Sequence, residues 1–348
     1  MAEANTRESN FELLRIVSMF LIVFYHLLRT PSSAITNAFY VVLHIAVPCF
    51  VLISGYFRIN ASVKGLLKLF LRCAVYAIGL YSAYCITRHV QVSKKELLKS
   101  FFAFSHTPGL WFITTYVFLY LISPLINIAL KQANTKQKFV FIMVTGIITG
   151  WFGFVNQCLT LEDGKNIVNF IFLYCIGDFI HNNIDNSKLK VKRHLLLLAY
   201  LLVNIGLFLI LIFTERYLFL QKVLMKIFFP YNSPGLILNS ILCFLVFSTI
   251  ELKSVKINWI ASSVLAIYLI HSNNYFIVLL NKIVAHFYDQ SSNFGVFCLL
   301  LALFSIVVCI ICVLTDKITA FIRNPVEIIL YKKIGFYKID LFLKKEFG

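Results

Sequence analysis

The chain alternates long apolar runs with short polar interruptions. Ten runs reach or approach the roughly 20 residues that cross a bilayer as a helix. They cover residues 11–28, 38–57, 66–87, 109–130, 138–155, 166–181, 194–214, 235–250, 259–281 and 294–315, the sixth being short. The pattern predicts an all-α fold, a polytopic membrane bundle of about ten transmembrane helices. Two stretches between runs, KKELLKSFFAF in the loop 88–108 and YLFLQKVLMKIFF at 217–229, read as short amphipathic helices lying on the surface. Pro230 and Pro234 close the second. Pro325 is expected to break the last helix, leaving a basic, aromatic tail on the inner leaflet. The expected division is an integral-membrane domain over residues 1–320 and an amphipathic cytoplasmic tail over 321–348. No clear internal repeat is visible, nor the paired broken helices of an inverted-repeat transporter.

Composition sharpens this picture. Of 348 residues 60% are hydrophobic and 14% charged, with a mean hydropathy of +0.84. A soluble core does not use that much apolar sequence. The net charge of +17 raises nucleic-acid binding only to exclude it, because the cations sit in short loops between apolar runs. There they orient helices and meet anionic head groups. Lys and Arg favour one set of loops by about two to one, which places both termini in the cytoplasm. The richer set includes Arg58, Lys64 and Lys68, then Lys131, Lys136 and Lys138, then Lys188 to Arg193. The outer set holds Arg29, Lys165, Arg216, Lys222 and Lys226, and the loop 88–108 is an exception in being basic and outside. The first run is long and lacks a small-residue cleavage site, so it is expected to stay as a helix. The nine cysteines lie scattered in apolar runs, and Cys309–Cys312 has redox spacing without a polar companion, so packing is the expected role.

The first run carries two polar residues that a lipid-facing helix would not tolerate cheaply, Arg15 and His26. Eleven positions apart, they fall within roughly 20° of one another on one helix face and about 16 Å apart along the axis. Glu12 and Glu8 lie near the same face. The bland alternative is an arginine that snorkels and a histidine that bonds a neighbour. The chemical reading gives His26 the proton transfers of a hydroxyl nucleophile. It gives Arg15 a phosphate, which the planar guanidinium fork suits. An acyl-coenzyme A donor, phosphates at one end and thioester at the other, matches that separation in order of magnitude.

Other candidates are balanced between packing and ligand contact. Ser54-Gly55 near the end of the second run permits close helix approach or a ligand contact. Arg58, Lys68 and Arg72 follow as orientation anchors or as a grip on a nucleotide-bearing donor. Trp111, Tyr116 and Tyr120 are belt aromatics or cavity walls. In the ninth run Tyr268, His271, Ser272, Asn273 and Asn274 form a polar cluster that needs internal partners. His44, near Pro48 on the second run, can approach His26 in depth. No spacing supports a metal site, and none is expected.

These segments resemble the acyltransferase type 3 family of integral-membrane O-acyltransferases. The likeness rests on Arg15 followed by His26, then CFVLISGYF, LWFITTYVFLYLISP, FLYCIGDFI and AIYLIHS, in that order, over most of residues 7–281. The resemblance implies about ten membrane helices with the N-terminus inside and a multi-pass location in the plasma membrane. It implies acyl-CoA, usually acetyl-CoA, as co-substrate with no bound cofactor. The acceptor would be a hydroxyl of a cell-surface or exported glycan or lipid-linked saccharide, with membrane lipids as surroundings. His26 carries over as the catalytic histidine and Arg15 as its basic companion. Arg58, Ser54, Lys68, Arg72, Trp111, Tyr116, Tyr268 and His271 are the candidate donor- and substrate-binding residues. Many members carry closely spaced arginines after the second helix, whereas here Arg58 stands there alone with Lys64, Lys68 and Arg72 further along. Some members carry an additional extracytoplasmic domain, which is not expected here. Direct attack of the sugar hydroxyl and a transient acyl-histidine are both open routes. The rival class is a transporter or flippase with Arg15 and His26 as a proton or anion relay. A scaffold without chemistry is a third.

Overall fold

The structure, a computed structural model, describes residues 7–28, 34–101, 110–158 and 160–347. Arg29, residues 102–104 of the KKELLKSFFAF segment, His106 and the opening Gly109 of the fourth run lie outside the described residues. Within the described residues every element is helical. In chain order they are α1 (Ser9–Leu27), α2 (Ala34–Leu43), α3 (Ala46–Phe57), α4 (Val63–Arg88), α5 (Lys94–Phe101) and α6 (Trp111–Gln132). Next come α7 (Thr135–Ile147), which runs on as a π-helix to Val155, then α8 (Ile167–Asn183), α9 (Asn186–Val191), α10 (Arg193–Phe213), α11 (Leu218–Phe228) and α12 (Pro234–Ser248). The chain ends with α13 (Val255–Ala261), α14 (Val264–His271), α15 (Asn274–Gln290), α16 (Phe294–Lys333) and α17 (Phe336–Phe347).

Among the described residues seven helices are long and apolar enough to cross a membrane, and eight if one sharply bent pair is a single span. Ten were expected, and the shortfall has local causes. The sixth run forms α8 and the eighth forms α12, of 17 and 15 residues, shorter than the usual bilayer crossing. The second run still counts as one span, Thr36–Phe57, despite a turn at His44–Ile45, and Pro48 lies in the first turn of α3, where its missing N–H has no intrahelical partner to lose. The ninth run breaks at Ser272–Asn273, and the helical stretch ending at His271 meets α15 at 85°. The Asn273 side chain caps the new helix by accepting from the Tyr275 N–H. Two proline expectations resolve differently. Pro124 sits inside α6, and the Tyr120 carbonyl it orphans accepts from the Ser123 hydroxyl at 2.8 Å. Pro325 does not break the last helix, which continues to Lys333. Buried Arg323 and Glu327 on either side keep that part of α16 packed.

The chain divides into two compact units, each built from two segments. The first comprises the described residues up to Ile59 with Ala129–Ala261. Its centre is the contact of α3 with α8, where each helix presents a glycine to the other's backbone. A Cβ on Gly177 would lie 2.2 Å from the Leu52 carbonyl oxygen, and one on Gly55 would collide with that of Tyr174. Glycine is what lets these two helices touch. The start of α1 docks beside them. Phe11 packs on Tyr56 and Phe244 at ring distances of 4.7 and 5.2 Å, and the Asn10 side chain donates to the Phe247 carbonyl at 3.1 Å. By contrast α10 leaves Leu195, Leu198, Leu202, Ile205 and Leu209 exposed, a face suited to lipid.

The second unit comprises Asn60–Ile128 with the residues from Ser262 onward. On α16 Phe297, Leu301, Ser305, Val308 and Cys312 are buried, while Leu299, Leu303, Ile306, Ile310 and Leu314 are exposed. That 3.6-residue repeat gives one protein face and one lipid face. The terminal α17 is not a loose tail. Its Asp340 accepts from the Val63 N–H at 2.6 Å and the Lys64 N–H at 3.2 Å, which supplies α4 with an N-terminal carboxylate. Tyr331 donates to the same carboxylate at 2.6 Å.

Candidate functional site

In the first unit α1 is one continuous helix from Ser9 to Leu27, so Arg15 and His26 share a rigid rod and keep the separation of about 16 Å that helix rise requires. Arg15 is half-buried, its side chain 29% exposed, and its Nη1 pairs with Glu12 Oε1 one turn earlier. Arg7 approaches the same oxygen at 3.9 Å. Glu12 is 4% exposed, and its Oε2 has no partner among the described residues. Two cations thus share one buried carboxylate, and the group carries a net positive charge. His26 is partly exposed near the other end of α1. It belongs to an aromatic cluster through Tyr25, whose ring lies 5.6 Å from His26, 4.6 Å from His44 and 5.1 Å from Tyr40.

His44 is fixed more firmly than its neighbour. It stacks on Phe229 at 4.0 Å and on Tyr231 at 5.1 Å. Its Nδ1 meets the Phe229 carbonyl at 2.9 Å. A carbonyl only accepts, so Nδ1 carries the proton and Nε2 presents a lone pair. That Nε2 is buried without a hydrogen-bond partner among the described residues. A lone pair so placed can accept from a hydroxyl brought into the cluster.

Ser54 and Arg58 lie in the same unit but not beside His26. Ser54 Oγ donates to the Phe50 carbonyl of its own helix at 2.9 Å. Arg58 ends α3 with a left-handed φ of 53°, uncommon outside glycine. Its Nε donates to Asp178 Oδ1 at 2.6 Å, and Lys138 Nζ donates to Oδ2 at 3.1 Å. Asp178 is fully buried, so this network ties α3, α7 and α8 together. The sequence drew attention to Arg58 but not to Asp178 and Lys138. A carboxylate inside the apolar run FLYCIGDFI was the available signal.

The remaining candidates lie in the second unit. Lys68 is exposed on α4. One turn on, Arg72 is 14% exposed and faces Asp316 at 3.7 Å, while its Nη1 donates to the Ser262 carbonyl at 3.3 Å. Arg323 holds Asp316 from the other side at 2.9 Å and donates to the Tyr76 hydroxyl at 3.0 Å, and that hydroxyl in turn donates to Asp316. The sequence reading missed this partner set, because Asp316 and Arg323 were counted with the end of the last helix and the tail. Trp111, Tyr116 and Tyr268 converge on a residue the sequence did not single out, Phe112, at ring distances of 6.2, 5.9 and 5.9 Å. His271 is fully buried at the end of α14. Its Nδ1 donates to the Ile267 carbonyl at 2.6 Å, and the Ser272 hydroxyl lies 3.2 Å from its Nε2. Among the described residues no three His, Cys, Asp or Glu side chains converge as a metal site.

The arrangement is that of a membrane protein with charged and imidazole groups lodged inside helices. The family is decided by comparison, because the model of the acyltransferase domain, type 3, matches residues 8–315. The chain belongs to the acyltransferase type 3 family. No curated protein and no solved structure matches it. Family membership and the apolar helices together describe a multi-pass membrane acyltransferase. The matched stretch takes in α1 with Arg15 and His26, the α3–α8 contact and the broken α14–α15 pair. Asp316 follows directly after it, and Arg323 comes two turns of α16 later.

Proposed function

We propose that this acyltransferase moves an acyl group, acetyl in the first instance, from acyl-CoA to a hydroxyl of a cell-surface or exported glycan, in the plasma membrane. The observation that carries the reading is the pairing of a half-buried guanidinium and a partly exposed imidazole on one unbroken α1, in a chain of this family. Arg15, in a net positive group with Arg7 and Glu12, binds the donor's phosphates. His26 takes the proton of the acceptor hydroxyl, and the oxygen attacks the thioester carbonyl carbon. A C–O bond forms, the C–S bond breaks, and the proton leaves with the coenzyme thiolate as the free thiol. His44, with its lone pair at Nε2, orients the hydroxyl or the imidazole within the Tyr25 cluster. Ser54, Arg58 and Asp178 shape the α3–α8 scaffold. Within the second unit, taken by itself, Lys68, Arg72, Trp111, Tyr116, Tyr268 and His271 are the proposed substrate-binding residues.

The test is incubation of membranes containing the protein with radiolabelled acetyl-CoA, followed by extraction of glycan and lipid-linked saccharide. Label that is released by mild base and depends on the protein supports O-acyl transfer. Absence of label, together with pH-dependent uptake of a solute, would replace this reading with transport.

A further inference from the structure

The broken ninth run opens onto a cavity that the proposed chemistry does not yet use. A membrane helix that stops and restarts exposes backbone polar groups, and lipid cannot satisfy them. Such breaks persist where they line a polar, protein-enclosed space. Here the break between His271 and Asn274 borders a cavity of about 200 Å3. Its polar wall is formed by Asn273, Asn274, Tyr76, Ser100, Glu96 and Lys99.

The helix α5 reaches this depth by folding back along α4. The Ser93 N–H donates to the Tyr81 hydroxyl at 3.0 Å, which turns the chain downward before α5 begins. Glu96 and Lys99 then border the same cavity as Tyr76, which lies twelve residues, or about 18 Å, below the end of α4 at Arg88. The two charges pair with each other at 2.7 Å. The ionisable wall is therefore neutral overall and does not select an anion. What remains are carboxamides, hydroxyls and aromatic rings. Asn273 commits its carboxamide oxygen to the helix cap and keeps its NH2 donors for other acceptors. Tyr275 is braced by Tyr84, stacked at 4.6 Å, and by Tyr81 at 5.4 Å. Donors and acceptors set around rigid rings, in a space about the size of one sugar ring, suit a neutral, hydroxyl-rich ligand.

We infer that this cavity is a saccharide subsite of the second unit, formed by the α14–α15 break, α4 and α5, and that it holds one ring of the acceptor. The inference rests on the glycan-acyltransferase reading for its ligand class but not for its measurement. The experiment is saturation-transfer NMR on the full-length protein in nanodiscs, with the methyl glycosides of glucose, rhamnose and N-acetylglucosamine as probes. At least one glycoside receives saturation from the protein, and inorganic phosphate does not compete for it. Asn274→Leu, which fills the cavity with an apolar side chain, and Lys99→Ala, on the opposite wall, each weaken that glycoside by about two- to tenfold, the effect of one or two lost hydrogen bonds. If Asn274→Leu lowers the unfolding temperature, Lys99→Ala decides alone. Gly206→Ala, where a new Cβ meets nothing within 4 Å, leaves glycoside binding unchanged. Saturation of none of the three glycosides, or full binding by a stably folded Lys99→Ala protein, overturns the inference. Glycoside binding without any acyl transfer would sink the transferase reading and leave the saccharide subsite standing.

Discussion

A single methyl group at Gly177 tests whether the α3–α8 contact organises the first unit. In Gly177→Ala the new Cβ would lie 2.2 Å from the Leu52 carbonyl oxygen and 2.8 Å from the Tyr56 nitrogen. Both are backbone atoms, so no side chain can rotate away. The helices must part by roughly 1 Å before the contact becomes ordinary. Overpacking of this kind costs about 1–3 kcal/mol. The same opening strains the neighbouring pair of Asp178 with Arg58, now at 2.6 Å, and a broken buried pair costs about 3–5 kcal/mol. Alanine returns only about 1 kcal/mol through its better helix propensity. A net loss of about 2 kcal/mol or more is expected. Gly206 in α10 is the control, because a Cβ there meets nothing within 4 Å. Gly206→Ala should stabilise by up to about 1 kcal/mol, so one substitution takes opposite signs at two sites. Thermal unfolding in detergent, followed by labelling of the buried free cysteines, Cys49, Cys175 and Cys243 of the first unit among them, with a thiol-reactive dye above the background of exposed Cys158, reads both. A Gly177→Ala protein that unfolds at or above the temperature of Gly206→Ala would refute the packing argument.

Three further outcomes follow from named contacts. Asp178→Asn leaves Arg58 and buried Lys138 without their carboxylate and should cost about 3–5 kcal/mol, read by the same dye assay. Asp340→Ala removes the carboxylate that caps α4 and should cost about 0.5–2 kcal/mol, and salt should narrow the difference because part of it is charge on the helix dipole. Arg15→Lys keeps the charge and loses the fork. Apparent affinity for acetyl-CoA should fall while the protein still inserts, and unchanged donor affinity would remove Arg15 from the phosphate grip.

Much of the fold was legible because hydropathy reports membrane helices directly. The first, third, fourth and seventh runs each form a long helix near the expected bounds, and the tenth starts as expected at Phe294 but runs on to Lys333. The amphipathic stretches at 94–101 and 218–228 are helical as their patterns require. What hydropathy cannot report is where an apolar run is interrupted. Nothing in the apolarity of 259–281 marks the 85° bend, although Ser272-Asn273-Asn274 offered cap and turn chemistry. Pro325 misled in the opposite direction, because proline costs a helix one hydrogen bond and buried Arg323 and Glu327 hold α16 together through it.

The candidate residues were found by a simple rule, that polar groups inside apolar runs need partners. The rule located Arg15, His26 and His271, while Arg58 and Arg72 entered as basic residues following the second run. It could not name the partners, since Asp178 lies 120 residues from Arg58 in sequence and Asp316 lies 240 from Tyr76. Ser54-Gly55 shows the same limit. The dipeptide permits either packing or ligand contact, and only the approach of the Tyr174 backbone to Gly55 makes its packing role visible.

The most direct measurement of the central claim is acetyl transfer by His26→Ala, in membranes where insertion and unfolding temperature match those of the unsubstituted protein. The account predicts that radiolabel from acetyl-CoA no longer reaches base-labile positions on the glycan, because the His26 imidazole is the group that takes the hydroxyl proton. Glycan labelled to the original extent by that variant would contradict it.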